Sequence, residues 1–388
     1  MRIKVFIAAL CALTLTANIA KAEADSTPAS TEQTAAEKHN PGSEMIEHVS
    51  DAHEWHIMTL NEDQPNEKHI SIPLPVILYD KENGKLDIFM SSKFHHGHEA
   101  HNGYGLFGGG TDAQYIAKVK LDESGNPILD EHGKPIEDTE AASPLDFSIT
   151  KVAISVMIAA LILIILLFSV KRSCIKNAGK APKGMQSLME ILILFIRDGV
   201  VIPIMGEKHS QRYLPYILTL FLFIFLCNLI GLVPFFPGGV NVTGNIAVTG
   251  VLAVITFLIT TFSGNKHYWK DIFNTPGVPW WLKFPLPIMP LVEFVGMFTK
   301  PFVLMVRLFA NITAGHIVTL GFIFLIFIFG KYGLTPGLGY GLSPVAVIFS
   351  LFISALECLV AFIQAYVFAM LTSLYIGMAV HNPEEEHA

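Results

Sequence analysis

The sequence predicts an all-α polytopic membrane protein. About five transmembrane or strongly tilted helices and one interfacial helix follow a small β-containing extracytoplasmic region. Three observations carry this reading. Of 388 residues, 52% are apolar and only 15% charged, with a mean hydropathy of +0.48, whereas soluble domains carry about 25% charged residues. The apolar residues are segregated, with 23–145 polar and acidic and 146–380 mostly hydrocarbon. Within the second part, uncharged runs reach the ~20 residues that cross a bilayer core at ~1.5 Å per residue. A formal net charge of −7 with dispersed Lys and Arg argues against a nucleic-acid surface.

The chain starts with Arg2 and Lys4, an apolar stretch from Val5 to Leu15, and Ala20-Lys21-Ala22. A basic start, a core too short to span and a small-x-small site predict a secretory signal over 1–22. The region 23–145 is then extracytoplasmic. Residues 23–50, rich in Ala, Ser, Thr and Glu, read as a flexible lead-in. Ile70–Tyr79, a turn at Asp80–Lys85 containing Asn83-Gly84, and Leu86–Met90 predict a hairpin. Tyr115–Leu121 alternates as a third strand. Asp122–Ile128 is echoed by Asp130–Ile136, which reads as tandem turns needing no ligand. His95, His96, His98 and His101 are of a type that binds transition metals. A solvated loop explains them as well, and no metal or cofactor is expected. The four cysteines make neither a disulfide framework nor a metal spacing.

The membrane domain, 146–380, opens with the uncharged run Val152–Val170. Lys171, Arg172, Lys176, Lys180 and Lys183 follow it and place that side in the cytoplasm. Gln186–Met205 is apolar but broken by Glu190, Arg197 and Asp198, so it reads as an interfacial or protein-packed helix. Tyr213–Val233 returns outward, and Pro234–Asn245 lacks Lys and Arg, as an outer loop should. Ile246–Phe262 comes back to Lys266, Lys270 and Lys283. Two long apolar helices then span Pro287–Val380, joined by a Gly/Pro-rich link at Lys331–Ser343. Lys300-Pro301 predicts a kink or helix start. The tail 381–388 ends in the cytoplasm.

The last two helices carry the chemistry. Arg307 and Glu357 each stand alone in apolar sequence, where a charge costs about 2.5–3.5 kcal/mol even on the lenient insertion scale. A hairpin centred near residue 337 sets His316 opposite Glu357 and Arg307 opposite Gln364. At about 100° per residue, Glu357 and Gln364 share a face, Asn311 lies about 40° from Arg307, and His316 points nearly the other way. One permanent charge and one titratable pair on different faces suit a proton pathway. A guanidinium holds a field without passing a proton, whereas a His/Glu couple exchanges protons as a unit. Glu293 is placed to serve a second aqueous access. The bland alternative is that these groups pair as packing elements.

Lys300-Pro301, Arg307-Leu308-Phe309-Ala310-Asn311, Ala314-Gly315, Glu357, Gln364-Ala365 and Leu371-Thr372 to Tyr375 resemble subunit a of the F-type ATP synthase membrane sector. So does Asn228-Leu229-Ile230-Gly231-Leu232-Val233-Pro234. The resemblance implies that Arg307 faces a ring of c subunits, with Asn311 and Gln364 as its polar neighbours and Glu293 in the cytoplasmic half-channel. It further implies b subunits, protons and the bacterial inner (plasma) membrane as surroundings, and strongly tilted last helices. The family often has a carboxylate where His316 stands and a histidine where Glu357 stands; the exchange reads as compensated. The chain has no Gly-x-x-x-x-Gly-Lys-[Ser/Thr] loop, so ATP chemistry is expected on other subunits. The competing reading is a stand-alone ion-coupled transporter with Arg307 as an anion site, against which no repeated, broken-helix halves are visible.

Overall fold

The computed structural model describes residue 46 and residues 49–60, 68–109, 112–122, 126–130, 133–233, 238–273, 288–331 and 336–381. The expected signal, 1–22, and the acidic tail, 382–388, lie outside the described residues.

Three small antiparallel sheets precede the helices. β1 (Glu54–Leu60) pairs with β2 (Lys68–Pro73), and β3 (Pro75–Tyr79) is flanked by β4 (Leu86–Met90) and β7 (Leu145–Asp146). β5 (Tyr104–Gly109) pairs with β6 (Asp112–Lys118). The expected hairpin is β3–β4, with Tyr79 opposite Leu86 and the Asp80 N–H donating to the Lys85 carbonyl at 2.9 Å. Gly84 supplies the positive φ of 61° that the turn requires. Val76 and Leu78 on β3 are fully buried against Phe94, Tyr104 and Ile116.

The third strand lies earlier than Tyr115–Leu121 and pairs with β5 rather than with the hairpin. The repeat explains the early end. Ile128 N–H donates to the Lys120 carbonyl and Lys120 N–H to the Ile136 carbonyl, so the backbone of Lys120 is engaged by the tandem turns. Both turns are built alike: Asp122 accepts from the Asn126 N–H and Asp130 from the Lys134 N–H, each at 2.8 Å. The histidines near residue 95 serve local structure. His96 Nδ1 lies 3.0 Å from Glu54, and His101 packs edge-on to Phe89. Among the described residues, no group of three potential ligands is arranged to hold a metal.

His53 is buried with its Nε2 2.9 Å from Asp146 Oδ2, tying β7 to the chain before β1. Burial pushes the Asp146 carboxyl up, but hydrogen bonds from His53 and Ser148 outweigh it and hold it below the usual carboxylate value. A depressed native pKa stabilises above the unfolded value of about 3.9 and loses that stabilisation as pH falls through the native value. The Phe147 and Ile149 N–H groups donate to β3 carbonyls and report on this strand. Their hydrogen exchange, corrected for intrinsic rates, is expected to be slow at about pH 5 and to accelerate below about pH 4. Protection unchanged down to about pH 3 would contradict the role given to Asp146.

Among the described residues, seven α-helices follow. α1 (Lys151–Lys176) is capped by Thr150, whose hydroxyl accepts from the Ala153 N–H. α2 (Met185–Ile196) continues through a π-helical turn, Arg197–Val201, into α3 (Ile202–Gly231). The predicted non-spanning helix corresponds to α2 and this turn: Met189, Ile196, Val200 and Val201 enter the core while Leu188 and Ile191 stay exposed. Gly206 (φ 72°, ψ 165°) breaks the helix between that segment and the span that follows. α4 (Ile246–Ser263), the short α5 (Lys266–Phe273), α6 (Ile288–Lys331) and α7 (Pro336–Val380) complete the chain.

Among the described residues, five helical stretches are long and apolar enough to cross a membrane. α6 and α7, of 44 and 45 residues, are each about 66 Å long, twice the ~30 Å hydrocarbon thickness, so they tilt or project. Of the kink or helix start expected at Pro301, the start is excluded, since α6 begins at Ile288 and continues through the proline, with Met297, Leu304 and Leu308 buried on either side. The predicted link is shorter than Lys331–Ser343, since α7 starts at Pro336, a residue suited to a first helical position. The hairpin register holds. A Cβ on Gly315 would meet Glu357, Phe322 stacks on Phe349, and Lys300 sits over Tyr375, all centred between residues 335 and 338.

Candidate functional site

Arg307 lies mid-way along α6 and is exposed. Ala310, Asn311 and Ala314 are exposed on the same stripe, at the i+3, i+4 and i+7 positions of one helix face. Small residues leave room for another helix to approach the guanidinium. No carboxylate of the described residues pairs with it; Tyr375 on α7 feels its charge. Gln364 lies across the hairpin at the same level but is buried, beside the fully buried Ala365.

On one side of Arg307, a cavity of about 240 Å³ is bounded by Asn228 of α3, Asn311 and His316 of α6, and Glu357 of α7. His316 is nine residues from Arg307, or about 14 Å along the helix. A glycine admits Glu357 close to α6, and His316 lies in ordinary contact with a second glycine. A Cβ on Gly315 would fall 2.6 Å from Glu357 Oε1, and one on Gly231 would fall 3.7 Å from His316 Nε2. His316 and Glu357 therefore share one cavity, yet no hydrogen bond or ion pair joins them. Thr319 lies beside Glu357, and neither the buried Glu357 Oε1 nor the buried Thr319 hydroxyl reaches hydrogen-bond geometry with a described residue. Buried polar atoms in that state are satisfied by water, and the cavity has the volume to hold it.

Asn228 fixes the wall of this cavity. Its Nδ2 donates to the Ala361 carbonyl at 3.3 Å and its Oδ1 accepts from Thr243, so α3, α7 and the loop before α4 meet at one amide.

A second cavity, of about 510 Å³, lies toward the other end of α6. Tyr268 of α5, Glu293 and Lys300 of α6, and His381 after α7 line it. Glu293 is 14 residues, or about 21 Å, from Arg307 on the side away from His316. Burial and the Glu293 charge together push the Tyr268 phenol above its ordinary pKa. A recess of about 20 Å³ bordered by Thr260, Tyr268, Lys300 and Tyr375 continues from it, enough for about one water. Lys300 Nζ stands 5.6 Å from the Tyr375 ring centre. Arg307 lines neither cavity and sits between them in sequence and along α6.

The sequence reading therefore finds its six residues in three places: Asn311, His316 and Glu357 at one cavity, Glu293 at the other, and Arg307 and Gln364 at the level between. It missed Asn228, Tyr268 and His381 as lining groups. An Asn inside a span is an available signal for the first; the others are ordinary residues whose place depends on packing.

Residues 153–377 match the family described as ATP synthase A chain. The chain belongs to that family. It is 44% identical over 249 residues to ATP synthase subunit a of Chloroherpeton thalassium, covering 62% of this chain and 69% of that one. ATP synthase subunit a of Myxococcus xanthus is 41% identical over 271 residues, covering 67% and 83%. Residues 45–147 match a separate family described only as a domain of unknown function. Membership makes the chain the proton-channel stator of the F0 sector and sets aside the stand-alone transporter.

Proposed function

We propose that Arg307 faces the ring of c subunits and that the two cavities are the half-channels on either side of it. The observation that carries this is an exposed, unpaired guanidinium between two separate cavities. Alone in hydrocarbon it would cost about 2.5–3.5 kcal/mol; against a ring carboxylate it is matched. Protons enter the His316/Glu357 cavity, neutralise a ring carboxylate, travel with the ring and leave through the Glu293 cavity. Arg307 favours the ionised carboxylate by opposite charge as it passes. His316 and Glu357 exchange protons through cavity water rather than by contact, which makes their interchange relative to the family tolerable: either order leaves one acid and one imidazole at the same cavity. Gln364 and Asn311 line the approach to the arginine.

The sidedness follows from charge. Lys171, Arg172, Lys176, Lys266 and Lys270 put the Glu293 cavity, which borders α5, on the cytoplasmic side. The sheets and the His316 cavity then face the exterior, with the chain in the bacterial inner membrane after loss of residues 1–22. The b subunits complete the stator.

Cross-linking tests the ring contact. In a cysteine-free background of the whole complex, Ala310→Cys is expected to form a disulfide with a cysteine beside the c-subunit carboxylate. Leu161→Cys, on the exposed face of α1, is expected not to. Equal yields, or a cross-link from α1 alone, would remove the assigned face.

A further inference from the structure

One face of the β3–β4–β7 sheet is apolar and, among the described residues, nothing covers it. Antiparallel partners project to the same side. Tyr79 stands opposite Leu86 and Leu145, and Ile77 opposite Ile88, while the Phe147 N–H donates to the Ile77 carbonyl and puts Phe147 in the same row. Met90, opposite Pro75, begins a third row. The other face, with Val76 and Leu78, is the core of the region. On the bare face Ile88 is 65% exposed, Phe147 62% and Leu86 55%. Apart from the Tyr79 hydroxyl, these rows hold no hydrogen-bonding side chain.

This face lies next to the start of α1. Phe147 and Ile149 run directly into α1 at Lys151. The Lys151 N–H donates to the Ala52 carbonyl at 3.0 Å, and the Val152 N–H to Asp51 at 3.2 Å. Trp55 packs with Val152, Val240 and Val242 where the spans end. The region is thus seated on the helix ends with its apolar rows continuous with a lipid-exposed helix, on which Met157 and Leu161 are 63% and 57% exposed. Exposed Lys81, Glu82 and Lys85 stand in the turn between β3 and β4, and exposed Lys93 follows β4.

We propose that this sheet face rests in the lipid interface at the N-terminal end of α1, making residues 75–90 and 145–149 a membrane-surface anchor for the region. Lipid fits better than a protein partner, because protein interfaces carry about one hydrogen bond per 100–200 Å² and these rows offer almost none. The two outer strands are sheet edges with unpaired backbone groups, which keeps the sheet at the interface and out of the hydrocarbon centre. The inference needs only that α1 spans, and it stands apart from the roles given to Arg307 and the two cavities.

The test uses spin labels on the complete, cysteine-free chain in its complex, reconstituted into phosphatidylcholine/phosphatidylglycerol vesicles. Nitroxides at Ile88→Cys and Leu86→Cys are expected to relax severalfold more with oxygen than with a water-soluble nickel chelate. Tyr115→Cys, exposed on β6, serves as the aqueous reference with the opposite preference. Nickel accessibility at 86 and 88 equal to that at 115 would show a solvated face and overturn the proposal. Protection from both reagents would show a protein covering the face, and would overturn it equally.

Discussion

Arg307→Ala is expected to abolish ATP-driven proton pumping while the complex still assembles. The residue makes no ion pair with this chain's described residues and is exposed, so its removal leaves no buried charge unpaired and no cavity in the core. The loss is functional. One elementary charge crossing 100 mV is worth about 2.3 kcal/mol, and that energy reaches the rotor only if a proton cannot pass from one access to the other without riding the ring. In the proposed mechanism the guanidinium enforces this by its permanent charge and by favouring the ionised carboxylate at the seam. Arg307→Lys keeps the charge but replaces the planar fork with a point charge able to deprotonate in a desolvated site, and is expected to lose most pumping as well. Dye quenching by ATP-driven acidification, with native gels for assembly, provides the measurement. Normal pumping by the alanine variant would remove the motor role of Arg307.

Much of this architecture can be read from the chain before any coordinates, for definite physical reasons. The hairpin register of α6 and α7 follows from length alone, because two uninterrupted helices joined by a short link have little freedom to slide. That rule brings His316 and Glu357 to one cavity. The same rule cannot say which side chains touch. The two groups share a cavity without contact, with Glu357 lying close against α6 at Gly315, and a glycine's neighbours are not encoded in its own position. Pro301 does not begin a helix, because α6 already starts at Ile288, with Met297, Leu304 and Leu308 buried around the proline. β6 was displaced by competition for the backbone of Lys120, a long-range effect of the repeat at 122–136. The Glu293 cavity was anticipated only at Glu293, since Tyr268 and His381 come from segments distant in sequence that converge in three dimensions.

Gly315→Val is expected to slow proton pumping by about tenfold, equivalent to ~1.4 kcal/mol in the limiting barrier, with assembly preserved. A Cβ at this position would sit 2.6 Å from Glu357 Oε1, 3.2 Å from its Cγ and 3.3 Å from its Cδ. A flexible carboxylate tip alone can swing aside, but crowding along the whole stem forces the side chain out of its present rotamer. The branched Cγ atoms of valine would also project into a cavity of only about 240 Å³, reducing the space between Glu357 and His316 that the proposed proton exchange needs. The smaller Gly315→Ala change should fall between parent and valine. Glu357→Asp, which withdraws one methylene from the crowded stem, should recover part of the activity lost by Gly315→Val. That recovery separates obstruction of Glu357 from general damage to α6, which a shorter acid on α7 would not repair. Parental pumping in Gly315→Val would mean that the close approach of α6 to Glu357 has no part in proton entry.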